Sequence, residues 1–188
     1  GFGLNPVAGG DDSRHQYFGE KQVGQLEFAS NAVVVLSHLC YASGNTEPGL
    51  AEGTADEAVQ RVDNFAAGFL RAGARAVVAE AYLGPAYYVK ALLRGSSSVE
   101  QIWAASPTAN GNHRITVASA RTPGYAVRLD PERASSGFVR SLVAKGLTAA
   151  ELRAGAAGRL GGVTLGPTTG PSLTSTCPEA CTSRPAPA

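Results

Sequence analysis

Two strand patterns separated by a helix pattern constrain the fold of this chain more than any other feature. The segment from Asn31 to Ser37 is an apolar, β-branched run without alternation, the pattern of a strand buried on both faces of a parallel sheet. Residues 75–81 repeat this pattern. A strand, a helix and a second strand in that order form one crossover unit, for which a right-handed connection is expected. The chain is therefore predicted to be an α/β domain in which these two segments are neighbouring parallel strands.

The helix between the two strands has clear start and stop signals. Thr54 and Glu57 have the spacing of a capping box, in which each side chain accepts a hydrogen bond from the other residue's backbone N–H. Gly73 stands where helices commonly end. Between them, apolar residues recur at steps of three and four and form one stripe: Val59, Val62, Phe65, Ala66, Phe69 and Leu70. A helix from about Thr54 to Gly73 should pack this stripe against the sheet.

Weaker local signals outline the rest of the chain. Two long loops are predicted, over residues 1–25 and over Cys40 to Gly53, because both segments are rich in Gly and polar residues. Helices are also predicted over Ala86 to Arg94, over Gly137 to Ala144 and after a capping box at Ser97 to Glu100. Strands are predicted over Ile115 to Ala120 and over Gly124 to Leu129, and Thr148 to Glu151 has the spacing of a further capping box.

Composition divides the chain into a domain and a tail. The 188 residues have room for one ordinary domain and a short extension. From about Gly158 the sequence becomes rich in Gly, Thr, Ser and Pro, and five of the eleven prolines lie between Pro167 and Pro187. Such a stretch buries too little apolar surface to offset the entropy of ordering it. Residues 1–157 are therefore predicted to form part of one α/β domain, and residues 158–188 a linker or disordered tail that is dispensable for stability.

Charge and hydropathy argue against several classes of function. The net charge is +1, which leaves no basic excess for binding nucleic acid. The wholly apolar run from Ala32 to Leu36 is far shorter than the roughly 20 residues needed to span a bilayer. No Gly-rich phosphate loop follows either buried strand, which disfavours a nucleotide-binding domain. We therefore predict no nucleic-acid partner, no membrane span and no cofactor.

The number of cysteines singles out one residue. The chain contains three cysteines, and an odd number cannot pair completely within one chain. Cys177 and Cys181 lie close together in the tail, where a local disulfide is expected if the protein is exported. Cys40 lies far from both, at the C-terminal end of the first predicted strand. We therefore expect Cys40 to be the residue that is left over.

The position of Cys40 suggests chemistry, because reactive groups gather where parallel strands end at the carboxyl edge of a sheet. A cysteine nucleophile must ionise, which requires a neighbouring base or positive charge. His38 precedes Cys40 by two residues, so both side chains would leave the same face of an extended strand. His38 could polarise the thiol, or it could line a substrate crevice or have a structural role. A nucleophilic Cys40 should open its sulfur into a crevice between the two predicted loops.

The segment Val33 to Gly44 (VVVLSHLCYASG) resembles the active-site strand of the caspase-like cysteine peptidases, in which an apolar strand runs into a nucleophilic Cys followed by small residues and Gly. Residues Asn64 to Ala79 (NFAAGFLRAGARAVVA) also look similar to bacterial members of that group. The likeness covers roughly residues 30–82. It implies a mostly parallel, three-layer α/β/α sheet, with Cys40 as the nucleophile and a general-base His on another strand.

The stretch that begins at His38 (HLCYASGNTEPG) is similar to a group of uncharacterised, mostly actinobacterial exported proteins. In those proteins a His-Gly motif stands shortly before a segment like Gly1 to Asn5 (GFGLN). The resemblance implies that the general-base His lies upstream of Gly1, so that the domain is incomplete at its N-terminus. It also implies a secreted or cell-surface protein that acts on a peptide or protein substrate.

Two functions remain open from the sequence. The first is a cysteine hydrolase, a peptidase of exported bacterial origin, in which the Cys40 thiolate attacks a carbonyl and backbone amides hold the oxyanion. Its predicted site residues in this chain are Cys40 and His38. The second is a non-catalytic binding or structural module of a cell-surface protein that keeps the same scaffold, since a fold does not decide a function.

Three further polar residues lie near the predicted edge of the sheet. Glu80 interrupts a buried strand, where a charge needs a partner, so it is either a pocket acid or a residue that faces the edge. Asn45 and Glu47 either line the crevice or are solvated in their loop.

The remaining His and aromatic residues have simpler expectations. His15 and His113 stand alone in predicted loops and are expected to be solvated. A metal site built from these two with His38 and Cys40 has no ligand spacing to support it, so no metal is predicted. Three aromatic residues at helical positions are predicted to lie in the core: Tyr87, Tyr88 and Trp103.

Overall fold

A computed structural model describes residues 2–4, 16–46 and 50–146 of the chain. Its elements, in chain order, are β1 (Phe2–Leu4), β2 (Gln16–Phe18), α1 (Glu20–Val23), β3 (Val33–Ser37), α2 (Cys40–Ser43), α3 (Ala55–Arg71), β4 (Ala76–Glu80), α4 (Ala86–Arg94), α5 (Val99–Ala104), β5 (Ile115–Ala118), β6 (Tyr125–Leu129) and β7 (Arg140–Lys145). Five sequence predictions lie outside the described residues: those for His15, for Glu47, for the capping box at Thr148 to Glu151, for the tail over 158–188 and for the pair Cys177 and Cys181.

The central sheet has five strands in the order β3-β4-β7-β6-β5. The neighbouring strands β3 and β4 pair in parallel, with Val33 opposite Ala76 and Ser37 opposite Glu80, as the crossover pattern predicts. The other three pairings in this sheet are antiparallel. The domain is therefore α/β with a mixed sheet, and within the described residues the prediction of a mostly parallel sheet is wrong.

Helix α3 forms where its sequence signals place it. The Thr54 backbone N–H donates to Glu57 Oε2 at 2.6 Å, and the Glu57 N–H donates to Thr54 Oγ1 at 3.3 Å, which confirms the capping box. After the last helical turn, Gly73 has a φ of +100°, a left-handed conformation that side chains with a Cβ adopt only under strain. These two ends fix the length of the connection that brings β4 beside β3.

Helices cover both faces of the sheet. On one face α1 and α3 pack with Val77, Val127 and Val143, and the buried stripe of α3 contributes Val59, Val62, Ala66, Phe69 and Leu70. On the other face α4 and α5 pack Tyr88 and Trp103 against sheet residues that include Val78 and Leu142. The predicted core positions of Tyr88 and Trp103 are confirmed, and Tyr87 is half-buried beside them. None of the described helices is both long and apolar enough to cross a membrane.

The predicted helix over Gly137 to Ala144 is wrong, because residues 140–145 form strand β7. The apolar residues Val139, Leu142 and Val143 satisfy the three- and four-residue steps of a helix, and they fit a fully buried strand equally well. In the fold β7 lies between β4 and β6, so both of its faces and both of its edges are covered. The pairing with β4 and β6 therefore determines the secondary structure of this segment, which its apolar spacing alone leaves ambiguous.

Three smaller predictions also need correction. The capping box of α5 joins Ser98 to Gln101 rather than Ser97 to Glu100, because the helix starts one residue later than expected. Part of the predicted loop over residues 1–25 is regular, since β1 and β2 pair and α1 follows them. The predicted loop that starts at Cys40 begins instead with the short helix α2.

Candidate functional site

The ends of four strands meet at one edge of the sheet. Strands β3 and β4 end there, β7 begins there because it runs antiparallel to β4, and β6 ends there because it runs antiparallel to β7. The register places Ser37 beside Glu80 and Glu80 beside Arg140. Polar residues from strands that are far apart in the chain are thereby brought into one row, followed by His38 and Cys40 at the end of β3. We call this row the carboxyl edge.

His38 turns the chain out of β3. Its φ of +57° lies in the left-handed region, which few residues with a Cβ adopt, and the half-buried imidazole is held in place by its neighbour. Ser37 Oγ lies 2.9 Å from His38 Nδ1 and donates to the Leu83 carbonyl oxygen at 3.0 Å. A hydroxyl has one proton, and a carbonyl can only accept, so Nδ1 of the neutral ring is the donor to Ser37. The hydrogen bonds therefore assign the free lone pair of neutral His38 to Nε2.

Cys40 is disulfide-bonded and only 1 % exposed. Its side chain packs with Ala81 and Val139, at the ends of the adjoining β4 and β7 segments. The prediction that Cys40 is the unpaired cysteine is therefore wrong, and its sulfur does not open into a crevice. A sulfur in a disulfide has neither a proton to lose nor a thiolate to attack with, so in this covalent form Cys40 has no nucleophilic chemistry.

The expected pairing of the His38 and Cys40 side chains depended on an extended backbone, and the backbone is not extended. Strand β3 ends at Ser37, His38 takes the left-handed conformation, and α2 begins at Cys40. The rule that alternate residues share a face holds only along a strand. Both predicted site residues therefore lie at the carboxyl edge, but their side chains are not brought to one face by the alternation of an extended strand.

The small residues after Cys40 have packing roles of their own. Ser43 Oγ bonds the Cys40 carbonyl at 2.7 Å and the Phe138 carbonyl at 3.0 Å, and Ser141 Oγ donates to the Ala42 carbonyl at 3.1 Å. Gly44 has a φ of +104°, and a Cβ added there would meet three side-chain carbons at 3.2–3.3 Å. The sequence from Cys40 to Gly44 is therefore explained by the way α2 is built into the core, whether or not it performs chemistry.

Glu80 is buried, and it is the predicted edge residue with the richest set of partners. Tyr88 Oη donates to Glu80 Oε1, Thr108 Oγ1 donates to Oε2 at 2.9 Å, and Arg140 Nε lies 3.6 Å from Oε1. Burial raises the pKa of the Glu80 carboxyl, and the hydrogen bond from Tyr88 and the charge of Arg140 counteract that increase only in part. Burial beside this carboxyl also raises the pKa of Tyr88.

Arg140 joins Glu80 to a second buried carboxylate. The guanidinium is fully buried, bonds Asp130 Oδ2 through Nη1 at 2.8 Å, donates through Nη2 to the Trp103 carbonyl, and stacks 4.4 Å above the Trp103 ring. Asp130 also accepts from the backbone N–H groups of Asn110 and Gly111, at 3.0 and 2.7 Å. We call Glu80, Arg140 and Asp130 the charged triad. Two carboxylates share one guanidinium in this triad, and Nε of the partly exposed Arg114 lies 3.9 Å from Asp130 Oδ1 as a second cation.

Sequence reasoning missed Arg140 and Asp130. Arg140 fell in a segment predicted as helix, and Asp130 follows a strand whose pairing is not visible in the sequence. One signal could have pointed to them, because a carboxylate as buried as Glu80 demands a cation, and Arg140 interrupts an apolar run much as Glu80 does.

The other predicted polar residues do not join the site as ligands. Asn45 is half-buried, accepts from the Thr46 N–H at 2.8 Å and donates its own N–H to the Cys40 carbonyl at 2.9 Å, so it closes the turn after α2. His113 is exposed, as predicted. Over the described ranges, no three His, Cys, Asp or Glu side chains are grouped in a way that could hold a metal ion.

Comparison with known proteins found no matching family model, no matching curated protein and no matching solved structure.

Proposed function

We propose that this domain is a non-catalytic binding or structural module of an exported protein, in which Cys40 is one half of a buried disulfide. The observation that carries the proposal is the covalent state of Cys40 together with its 1 % exposure. Disulfides form and persist in oxidising compartments, which supports a secreted or cell-surface location. A cystine at the start of α2 stabilises the fold by restricting the unfolded chain.

The surroundings of Cys40 support the same proposal. Ser43, Gly44 and Ser141 fix α2 through buried hydrogen bonds and close contacts, which is what a structural anchor needs. Both carboxylates of the neighbouring charged triad are paired with Arg140 and are at most 1 % exposed, so neither is presented to a substrate. Burial and ion pairing favour a scaffold over a reacting centre.

A caspase-like cysteine hydrolase that cleaves peptide or protein substrates is the second candidate, and the geometry of His38 favours it. The hydrogen bond from Nδ1 to Ser37 leaves Nε2 as a base at the same edge of the sheet as Cys40. This candidate requires the disulfide to open first. The Cys40 thiolate would then attack the substrate carbonyl carbon, the amine would leave with a proton from the base, and water would hydrolyse the thioester.

Peptidase assays in two redox states discriminate these functions. The full chain would be incubated with a mixed library of fluorogenic peptides before and after treatment with a dithiol reductant, beside the variants Cys40→Ser and His38→Asn. His113→Asn is the matched control, because His113 is exposed and lies in a loop far along the chain. Our proposal predicts no turnover that depends on Cys40 in either state. Turnover that appears on reduction and disappears in Cys40→Ser and His38→Asn, but not in His113→Asn, would contradict it.

A further inference from the structure

Strand β3 lies at one edge of the central sheet, and no described strand pairs with the side of β3 that faces away from β4, which we call the outer edge of β3. Its sequence is typical of a strand buried on both faces, yet Val33, Val34 and Val35 are only half-buried. Edge strands are usually protected from pairing by charged residues, Pro or bulges. From Phe28 to Thr46 the chain contains no Asp, Glu, Lys, Arg or Pro. The outer edge of β3 therefore lacks the charges and prolines that prevent pairing.

The hydrogen bonds of the sheet identify the residues of β3 that present their backbone groups at the outer edge. Alternate residues of a strand direct N–H and C=O to opposite sides. The Ala32 carbonyl accepts from the Arg75 N–H at 2.8 Å, so the even-numbered residues of β3 face β4. The outward donors and acceptors therefore belong to Val33, Val35 and Ser37, a set that is centred on Val35.

We propose that β3 pairs antiparallel with β3 of a second copy of this chain, about a two-fold axis at Val35. Val35 then lies opposite its own copy, and Val33 of each chain lies opposite Ser37 of the other. All of these residues face outwards, so each opposed pair exchanges two hydrogen bonds. The two five-stranded sheets become one continuous sheet in a closed, two-fold dimer.

Helix α4 has an apolar side that is turned away from α5. Val89 is 49 % exposed and Leu93 is 83 % exposed. The Tyr87 hydroxyl donates to the Ile102 carbonyl at 3.0 Å, so Tyr87 faces α5. A helix turns by about 100° per residue, which places Val89 about 200° and Leu93 about 240° round from Tyr87. Both exposed side chains therefore lie away from α5.

This apolar side of α4 is the side nearest the outer edge of β3. Helix α5 lies over β7, because its Trp103 ring stacks on Arg140. The α4 residue Tyr88 bonds Glu80 at the end of β4, and α4 lies over the face of the sheet that carries Val35. Across the sheet, α4 is thus followed by the outer edge of β3 on one side and by α5 on the other.

The two-fold axis brings α4 beside its own copy. Directly opposed residues of an antiparallel pair point to the same face, so both α4 helices lie on the face that carries Val35. A helix over β3 and β4 is about one strand spacing, roughly 4.8 Å, from the line midway between β3 and its copy. The two helices would then be roughly 10 Å apart, which is the distance of packed helices. Val89 and Leu93 would be buried between them.

The distribution of charge favours a second copy as the occupant of this edge. Neither β3 nor the pair Val89 and Leu93 carries a charge, so self-pairing brings no like charges into opposition. A neutral apolar strand also has no charge with which to select a different partner, whereas its own copy has the matching spacing and the matching helix side. Strand β5, at the opposite edge, is flanked by the partly exposed Arg114 and Arg121, which oppose pairing there.

This association rests on the proposed function and deepens it, because it names the partner of a binding or structural module. The paired strands are only about 17 Å long, which is at the small end for a specific interface. We therefore expect a reversible dimer whose population rises with concentration. Association is measured without a substrate, so its failure is distinguishable from the failure of the proposed function, which peptide turnover would reveal.

Sedimentation equilibrium of the full chain tests the proposal over a hundredfold range of concentration, up to about 0.5 mM. We expect the average mass to rise from 19.2 kDa towards twice that value, and to fall again on dilution. Val35→Pro removes an outward N–H that β4 does not use, and its ring obstructs a second strand. Leu93→Glu places like charges against each other across the axis. Each variant should weaken association at least tenfold.

Each of the two variants has a matched control. Thr116→Pro makes the same change at the outer edge of β5, where Thr116 faces outwards because the Ser119 N–H bonds the Tyr125 carbonyl of β6. Arg94→Gln changes the net charge by the same amount as Leu93→Glu, and Arg94 lies about two turns after Tyr87 on the α5 side of the helix. Both controls should associate as the wild-type chain does.

Three results would overturn the proposal. These are a wild-type mass that stays at 19.2 kDa over the whole range, an association that Val35→Pro and Leu93→Glu leave unchanged, and an equal weakening by Val35→Pro and Thr116→Pro. Circular dichroism verifies that each variant is folded. The side chain of Leu93 is largely exposed, so Leu93→Glu keeps the test decisive even if Val35→Pro does not fold.

Discussion

Two halves of the carboxyl edge are closed in different ways. At β4, β6 and β7 the edge is held by the charged triad, in which Arg140 lies between the carboxylates of Glu80 and Asp130. At β3 it is held by a covalent bond, because Cys40 is disulfide-bonded. Cys40 and the three members of the triad are each at most 1 % exposed. The comparison shows that polar or reactive residues gathered at a sheet edge can have a structural role. The position of such a residue indicates a catalytic function only when its interaction partners and its covalent state are also known.

The largest effect on stability is expected when the charged triad is broken. Arg140→Met removes the cation that the two buried carboxylates share, so Glu80 loses its ion pair and Asp130 keeps only the longer contact with Arg114 at 3.9 Å. Removing one member of a buried ion pair costs about 3–5 kcal/mol. We therefore expect the free energy of unfolding, measured by urea titration, to fall by that amount. The control Arg133→Met changes an exposed arginine and should shift the free energy of unfolding by less than about 0.5 kcal/mol. Equal effects of the two substitutions would refute the role of the triad.

Reducing the disulfide of Cys40 should have the second largest effect on stability. Reduction of the wild-type chain removes the disulfide of Cys40 and should lower the free energy of unfolding by about 2–4 kcal/mol. The same reductant should leave the variant Cys40→Ala nearly unaffected, because that variant lacks the disulfide of Cys40. Urea titrations of the wild-type chain that coincide with and without reductant would contradict a stabilising role of this disulfide.

A smaller effect sharpens the account of how α2 is seated. In Gly44→Ala the alanine has to keep the left-handed backbone conformation of Gly44, and its Cβ lies 3.2 Å from carbons of Ala58 and Leu129. Overpacking typically costs about 1–3 kcal/mol, in addition to the backbone penalty. Gly95→Ala is the matched control, since Gly95 also has a positive φ but nothing lies within 4 Å of the added Cβ. Thermal unfolding should show a greater loss for Gly44→Ala, and an equal loss would mean that α2 is not tightly packed.

The smallest expected effect is a pH dependence of stability that arises from Glu80 in the charged triad. The folded state raises the pKa of Glu80, so between the ordinary value of 4.5 and that raised value the folded chain binds more protons than the unfolded chain. The contribution of Glu80 to stability is therefore greatest at low pH and declines as the pH rises through this window, by at most about 1.4 kcal/mol per pH unit. Glu80→Gln should remove this decline. Urea midpoints measured from pH 4.5 upwards in both proteins test this, and parallel profiles would contradict it.

Much of the fold could be predicted from the sequence because its signals are local. The capping box at Thr54 and Glu57, the three- and four-residue steps of α3 and the β-branched runs of β3 and β4 each act within one element. Strand β7 could not be identified in this way, since its apolar spacing fits a helix as well as a central strand. Its assignment requires knowledge of its neighbours β4 and β6.

The candidate site was predicted less well, for a physical reason. The sequence placed Cys40 and His38 correctly at the end of β3, because strand ends follow from hydrophobic patterns. It could not show that Glu80 is paired with Arg140, since these residues are far apart in the chain, or that Cys40 is disulfide-bonded, since a cysteine's neighbours in the sequence do not show its covalent state. An odd number of cysteines says that one is left over, and it does not say which.

The central claim is that Cys40 is a buried half-cystine rather than an available nucleophile. Its most direct test is a brief pulse of iodoacetamide applied to the folded, never-reduced chain, followed by quantification of the alkylated tryptic peptide that spans residues 22–61 and contains Cys40. The account predicts that the pulse leaves Cys40 unlabelled in most molecules, because its sulfur is bonded and 1 % exposed. Rapid labelling of Cys40 in most molecules would contradict the account and favour the hydrolase.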